Sequence, residues 1–381
     1  MRTKRGSAFW SKLLLVLAIL LVGGISLTGC YGRGQPTGWA GAIATDSGIF
    51  VGSLDGRLVS LNKTRGDFLW SGEDVGRLGT DEAKVAIYST PAASGELVYI
   101  AGYNGKVYAF VAGNGALRWI YPREGNLEAI VAGLVASQDK VFFGDSDGQF
   151  YALDAVTGDR LWTFETGDKI WSTPAVDGDT IYLNSFDDKL YALSTADGTK
   201  RWELEMDSTV MTTPAFDETN LYIGSFDRYF YAIDKATGHQ QWRSEVEAGK
   251  WFWAKPVVHN SVIYAPNLDG KVYLFDAQTG REVTSAIDLG NQISAAAALV
   301  DDKVIVATED GHVYSLDTGS KQSSLLIDLS GNNQKVLAPL SADNGVVYIK
   351  VQTASEDTLY AVNVTTQATL WSQPLIISEG D

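Results

Sequence analysis

The chain has 381 residues, a formal net charge of −16 at pH 7, one cysteine and three histidines. Such an acidic balance argues against a nucleic-acid partner, because binding phosphate needs a basic surface. It argues equally against electrostatic docking on anionic lipid heads, and a single cysteine excludes an intramolecular disulfide.

In chain order, the first element is a targeting segment. Arg2, Lys4, Arg5 and Lys12 make a basic start, and Leu13 to Leu27 is apolar. That run is short for a membrane span, which needs about 20 residues, and it suits an export signal. The alternative is a plain transmembrane anchor. The segment ends Leu27-Thr28-Gly29-Cys30. This tetrad resembles the lipobox of bacterial lipoproteins, which implies cleavage before Cys30 and a lipid on it. Residues 1–29 are then a signal, 30–38 a Gly-containing tether, and 39–381 the body. Removing four positive side chains leaves that body at about −20.

The body is built on one phrase repeated at a spacing of about 40 residues. It consists of a hydrophobic pair, an Asp-Gly-type turn, Tyr-Ala-Leu, a Thr-Gly turn and Trp. The clearest copy runs through Val141-Phe142-Phe143, Asp147-Gly148, Tyr151-Ala152-Leu153, Thr157-Gly158 and Trp162. Trp70, Trp119, Trp202, Trp242 and Trp371 close other copies, while two copies, around Tyr273 and Tyr314, lack the Trp. We count eight; loss of a weak end copy would make seven. Such a period of short strands and turns predicts an all-β, eight-bladed β-propeller of four-stranded antiparallel blades.

Residues 171–206 serve as the sample blade. The pattern predicts strands over 171–176, 180–184, 189–193 and 200–204, joined by tight turns. Glycines stand where hairpins need positive φ. The Trp of strand four carries a large apolar area and one N–H donor, which suits packing between blades.

Ala152 to Trp162 follows the pattern Ala-x-Asp-x-x-Thr-Gly-x-x-x-Trp in full, and Ala232 to Trp242 does so again. This strongly resembles the propeller repeat of the pyrroloquinoline quinone (PQQ) family, over about residues 39–375. The layout of lipobox, tether and eight blades is similar to that of the BamB lipoproteins within that superfamily. The resemblance implies an envelope scaffold for outer-membrane protein assembly.

Enzymatic chemistry is disfavoured. The quinone dehydrogenases usually carry a Cys-Cys pair and large insertions, and this chain has neither. His239, His259 and His312 fall in separate copies without metal-like spacing. The acidic residues Asp145/Asp147, Asp187/Asp188 and Asp301/Asp302 are turn residues. We therefore expect no catalytic residue, no cofactor and no metal.

The face carrying the turns between strands two and three is the candidate working surface. It should present Asp55, Asp147, Asp187, Asp227, Asp269 and Asp310, with the inter-blade links bringing in aromatics. The candidate binding residues are Tyr88, Trp171, Met211, Lys250, Trp251, Phe252 and Trp253. They form either a partner platform or a plug for the channel mouth. The expected role is a lipid-anchored, monomeric scaffold with an envelope protein partner, in the outer membrane where the cell has one and otherwise on the outer face of the cytoplasmic membrane. The alternatives are a binder of a small molecule or glycan at the mouth and, third, a PQQ-dependent dehydrogenase.

Overall fold

Each copy of the repeat folds as its own antiparallel meander. The computed structural model describes residues 38–376, apart from 73–74 and 81–82; the signal, Cys30 and most of the tether lie outside the described residues. Eight blades stand in a ring, and no α-helix occurs among the described residues. In blade 4 the strands are Ala175–Asp177, Thr180–Ser185, Lys189–Ser194 and Lys200–Glu205. The first is shorter than the sequence predicts. Trp171 to Pro174 forms the link from the previous blade, and Pro174 has no N–H to give a ladder.

Burial falls outward along each blade. Thr180–Ser185 is buried throughout, because blades cover it on both faces. Strand four, Lys200–Glu205, alternates exposed and half-buried residues. Its charged side chains pair as Lys200 with Glu203 at 2.6 Å, and charges on an outer strand discourage edge-to-edge pairing. Ala192 lies directly opposite Trp202, and a register shift follows immediately. The same Ala–Trp pair and shift recur at Ala109–Trp119, Ala152–Trp162, Ala232–Trp242 and Ala361–Trp371. The small residue leaves room for the indole, and the bulge turns it toward the next blade.

Blade 1 departs from the pattern. It has three strands, Ala42–Thr45, Gly48–Gly52 and Leu58–Leu61. The fourth is reduced to a single bridge between Leu61 and Phe68. Trp70 nonetheless reaches its usual place and is 5% exposed.

The indoles bolt neighbouring blades together. Each blade-closing Trp donates its N–H to a backbone carbonyl in the turn between strands three and four of the next blade. Trp70 reaches Ala112 at 2.9 Å, Trp119 reaches Ala155 at 3.0 Å and Trp202 reaches Lys235 at 2.9 Å. The ring face lies against the turn glycine. A Cβ on Gly158 would stand 2.6 Å from Trp119, and one on Gly238 2.7 Å from Trp202. These glycines also have φ of +73°. Blades 6 and 7 lack the Trp, and the glycine position of the following blade is then Lys321 (φ 59°) or Gln367 (φ 58°). A positive φ is thus retained without glycine. What demands glycine is the flush contact with the indole.

The ring closes by packing between blades 8 and 1. Ala42, Val51 and Leu61 share a core with Leu359, Ala361 and Trp371. Trp371 donates to Lys63 O at 2.9 Å. A buried ion pair within blade 8, Lys350–Asp357 at 3.0 Å, faces the seam, with side chains 2% and 0% exposed. Lys350 Nζ donates to Gly52 O at 2.6 Å, and Leu54 N–H donates to Asp357 Oδ2 at 3.0 Å. Elsewhere in the ring the equivalent turn N–H meets a link carbonyl, as Phe186 N meets Lys169 O and Phe226 N meets Thr209 O. At the seam a carboxylate takes the place of that carbonyl.

Candidate binding face

The turns between strands two and three gather on one face with the inter-blade links. Turn chemistry consumes their acids. Asp187 Oδ1 accepts the Lys189 N–H, and its Oδ2 accepts the Gly167 N–H and the Tyr191 hydroxyl. Asp269 does the same with Lys271, Gly249 and Tyr273. Asp227 receives the Tyr229 N–H and the Tyr231 hydroxyl. In blade 3 the role falls to Asp145, 2% exposed, which binds the Asp147 and Gln149 N–H groups and Tyr151. Burial raises the Asp145 carboxyl above its ordinary value, against the pull of those donors. Burial, then the neighbouring carboxylate, pushes Tyr273 up to about 12 and raises Tyr191 and Tyr231 as well. Asp55 pairs with Arg57 at 3.0 Å, and Asp310 lies 3.2 Å from His312. These carboxylates cap their own turns, and Asp187 and Asp269 also hold the link from the preceding blade.

The aromatics form two separate groups. On blades 1 and 2, Tyr88 packs edge-on against Trp39 at 4.4 Å and against Tyr103 at 5.4 Å. On blades 4 to 6, Trp171 meets Phe186 at 5.2 Å, with Lys169 Nζ 4.5 Å above the Phe186 ring. Phe226 stacks on Trp251 at 4.9 Å and on Trp253 at 6.2 Å. Turn and link residues thus interleave around the mouth. The Trp171 indole N–H is taken by Ser146 Oγ at 2.9 Å. Trp251 and Trp253 are half-buried, and among the described residues their N–H groups have no hydrogen-bond partner.

The remaining candidates divide. Lys250 is exposed and reaches Gln292 Oε1 at 3.2 Å. Phe252 is 1% exposed and packs on Phe230 at 5.3 Å and Tyr273 at 5.7 Å. A Cβ on Gly224 would stand 2.2 Å from it. Met211 is 8% exposed. Phe252 and Met211 are wedges beneath the face, and Tyr88, Trp171, Lys250, Trp251 and Trp253 lie on it. The wedge was hidden because three consecutive aromatics in a link do not reveal which of them turns inward.

His239, His259 and His312 stay apart, with His259 bound to Asp302 at 3.0 Å. Among the described residues no three His, Cys, Asp or Glu side chains come together as a metal site, and no helix is long and apolar enough to cross a membrane. Sequence reasoning missed Glu309, 6% exposed, in the turn of blade 7 where blades 4 and 5 carry Phe186 and Phe226. The signal for it was the alignment of that turn across all copies.

Comparison with known proteins gives a consistent picture. Residues 6–170 and 146–373 match the family described as outer membrane protein assembly factor BamB. The BamB of Kangiella koreensis is 31% identical over 130 residues, 34% of this chain and 32% of that protein. The quinohemoprotein alcohol dehydrogenase ADH-IIG of Pseudomonas putida is 29% identical over 109 residues, 25% of this chain and 15% of that enzyme. The chain thus aligns with about a third or less of these curated relatives' length. The crystal structure of BamB from Moraxella catarrhalis superposes with a TM-score of 0.67 at 21% identity, covering 85% of this chain and 96% of that one. The computationally designed Ika8 protein does so at 0.69 and 19%, covering 86% and 99%. Those two likenesses are likenesses of fold; the family match spans most of the sequence, and the chain belongs to the BamB family of outer membrane protein assembly factors.

Proposed function

We propose that this chain is a non-catalytic scaffold of the cell envelope. It is held to a membrane by a lipid on Cys30 and grips a protein partner with its turn face during outer-membrane protein assembly. The observation that carries the reading is the Phe226–Trp251–Trp253 stack, half-buried with two open indole donors. Aromatic residues with a wet polar tip are frequent anchors of protein interfaces. Family membership supports the assembly role. The tetrad Leu27-Thr28-Gly29-Cys30 supports the anchor.

Capture from the organism's own envelope tests the reading. The wild-type chain should retain a defined partner, and Trp253→Ala should lose it by at least tenfold while melting as a folded propeller. Equal retention by both chains would remove the face from the proposal. The anchor is tested separately by detergent partitioning. Cys30→Ser should move to the aqueous phase, and equal partitioning would rule the lipid out.

A further inference from the structure

The blade 7 sector of the mouth breaks the aromatic order at two linked positions. Its turn carries Glu309 where blades 4 and 5 carry Phe186 and Phe226, and the link into it carries Ser294 where blades 4 and 6 carry Trp171 and Trp253. One substitution brings a carboxylate and the other puts a small hydroxyl where an indole stands in those blades. Glu309 is 6% exposed, and its Oε1 is buried with no hydrogen-bond partner among the described residues. Two side chains of adjoining segments share this condition, since Ser294 Oγ and Gln352 Oε1 are also buried without partners.

Backbone bonds place the three segments side by side. The Glu309 N–H donates to Gln292 O, two residues from Ser294, and Val336 N–H donates to Glu309 O. Gln352 exchanges both backbone bonds with Lys335, the residue before Val336. Glu309 and Gln352 therefore flank one two-residue stretch of the link into blade 8. A buried carboxylate oxygen without a donor is costly. Leucine, which blades 1 and 6 use here as Leu54 and Leu268, would avoid that cost.

We infer that this notch receives an arginine side chain of the partner protein. The inference rests on the scaffold reading above and names the chemistry of its contact. Guanidinium offers five N–H donors in one plane and accepts nothing, which matches the Glu309 carboxylate and the Gln352 carbonyl oxygen left without donors. The chain's net charge of −16 favours a basic partner. The Trp251–Trp253 rank on the adjoining blade would lie against apolar residues beside the arginine.

The test titrates the full chain, purified in detergent, with acetyl-Leu-Arg-Leu-amide and with its citrulline counterpart, following the backbone amides of Glu309 and Val336 by NMR. The arginine peptide should shift both amides saturably, the citrulline peptide should bind at least tenfold more weakly, and Glu309→Gln should abolish the difference. Equal binding of the two peptides, an undiminished preference in Glu309→Gln, or no shift at all would overturn the inference. Thermal unfolding gives a second measure. Glu309→Leu should melt at or above the wild type, since a residue kept for a ligand is not kept for stability; a lower melting temperature would make Glu309 structural and overturn it too. If the wild type captures its partner and Glu309→Gln captures it equally well, the scaffold reading survives and this inference fails.

Discussion

Trp162 and Gly198 form one interlocked contact across two blades. The indole donates to Thr195 O at 3.3 Å, and a Cβ added to Gly198 would stand 2.5 Å from the Trp162 ring. Gly198 has φ of +74°, so any side chain there is disfavoured by the backbone as well. The two penalties are separable. Gly198→Ala should cost roughly 1–3 kcal/mol from backbone strain and overpacking. In a Trp162→Thr background, which reproduces what blade 6 carries opposite Leu274 as Thr284, most of the packing share should vanish. A double-mutant cycle by urea denaturation measures it, with an expected coupling of about 0.5–3 kcal/mol. No coupling would mean that the glycine answers only to φ.

Trp162→Ala should destabilise more than Trp253→Ala. Truncating a core aromatic costs about 3–5 kcal/mol. Trp162 is half-buried at the blade edge, so the lower end applies, with a lost hydrogen bond of about 1 kcal/mol within it. Trp253 loses one stacking contact with Phe226 and no hydrogen bond. Chemical denaturation of the two variants decides, and equal midpoints would make the link a plug.

How much of this was legible in the sequence depends on whether a feature is internal to one blade. The strand meander, the turn aspartates and the position of each Trp follow from local pattern, since period, turn chemistry and aromatic placement act within 40 residues. The destination of the Trp N–H does not, because Ala112 or Lys235 belongs to the next copy. Nor does the buried turn of Phe252, which depends on the space that Gly224 leaves open. The loss of strand four in blade 1 left no mark in the pattern, because Trp70 stays in its usual place.

The seam pair should be intolerant of single changes. Asp357→Asn leaves Lys350 buried without its counter-ion, and Lys350→Met leaves Asp357. Removing one partner of a buried pair costs about 3–5 kcal/mol. Hydrogen exchange should show the loss concentrated in blades 1 and 8. Uniform loosening around the ring would deny the seam any special role.

Acid should weaken the ring through its turn caps. Asp154, Asp234 and Asp317 each open an inter-strand turn. Hydrogen bonds from that turn's own residues, led by Thr157, Thr237 and Ser320, hold their carboxyls below the ordinary value of 3.8. A depressed folded pKa gives stability that is present above 3.8 and lost as pH falls through the folded value. Asp145, raised chiefly by burial, works in the opposite sense, gaining stability as it takes up a proton just above 3.8. Exchanging the three cap aspartates for asparagine keeps the acceptor oxygen and removes the proton site. Urea midpoints between pH 6 and pH 3 should fall less steeply in the triple variant; an unchanged slope would place the acid sensitivity elsewhere.

All strands of a blade come from consecutive residues, and every bolt but one joins copies adjacent in the chain. The exception is the seam, where Leu54 meets Asp357 across 303 residues. Assembly can therefore spread from blade to blade through short-range contacts, which form fast, and leave one distant closure for the end. The entropy of that closure grows only slowly with the length enclosed, about 0.6 kcal/mol for each doubling. The propeller thus folds as a zipper with a single clasp, and a permuted chain joined across the clasp and cut at another link would move the slow step without altering the ring.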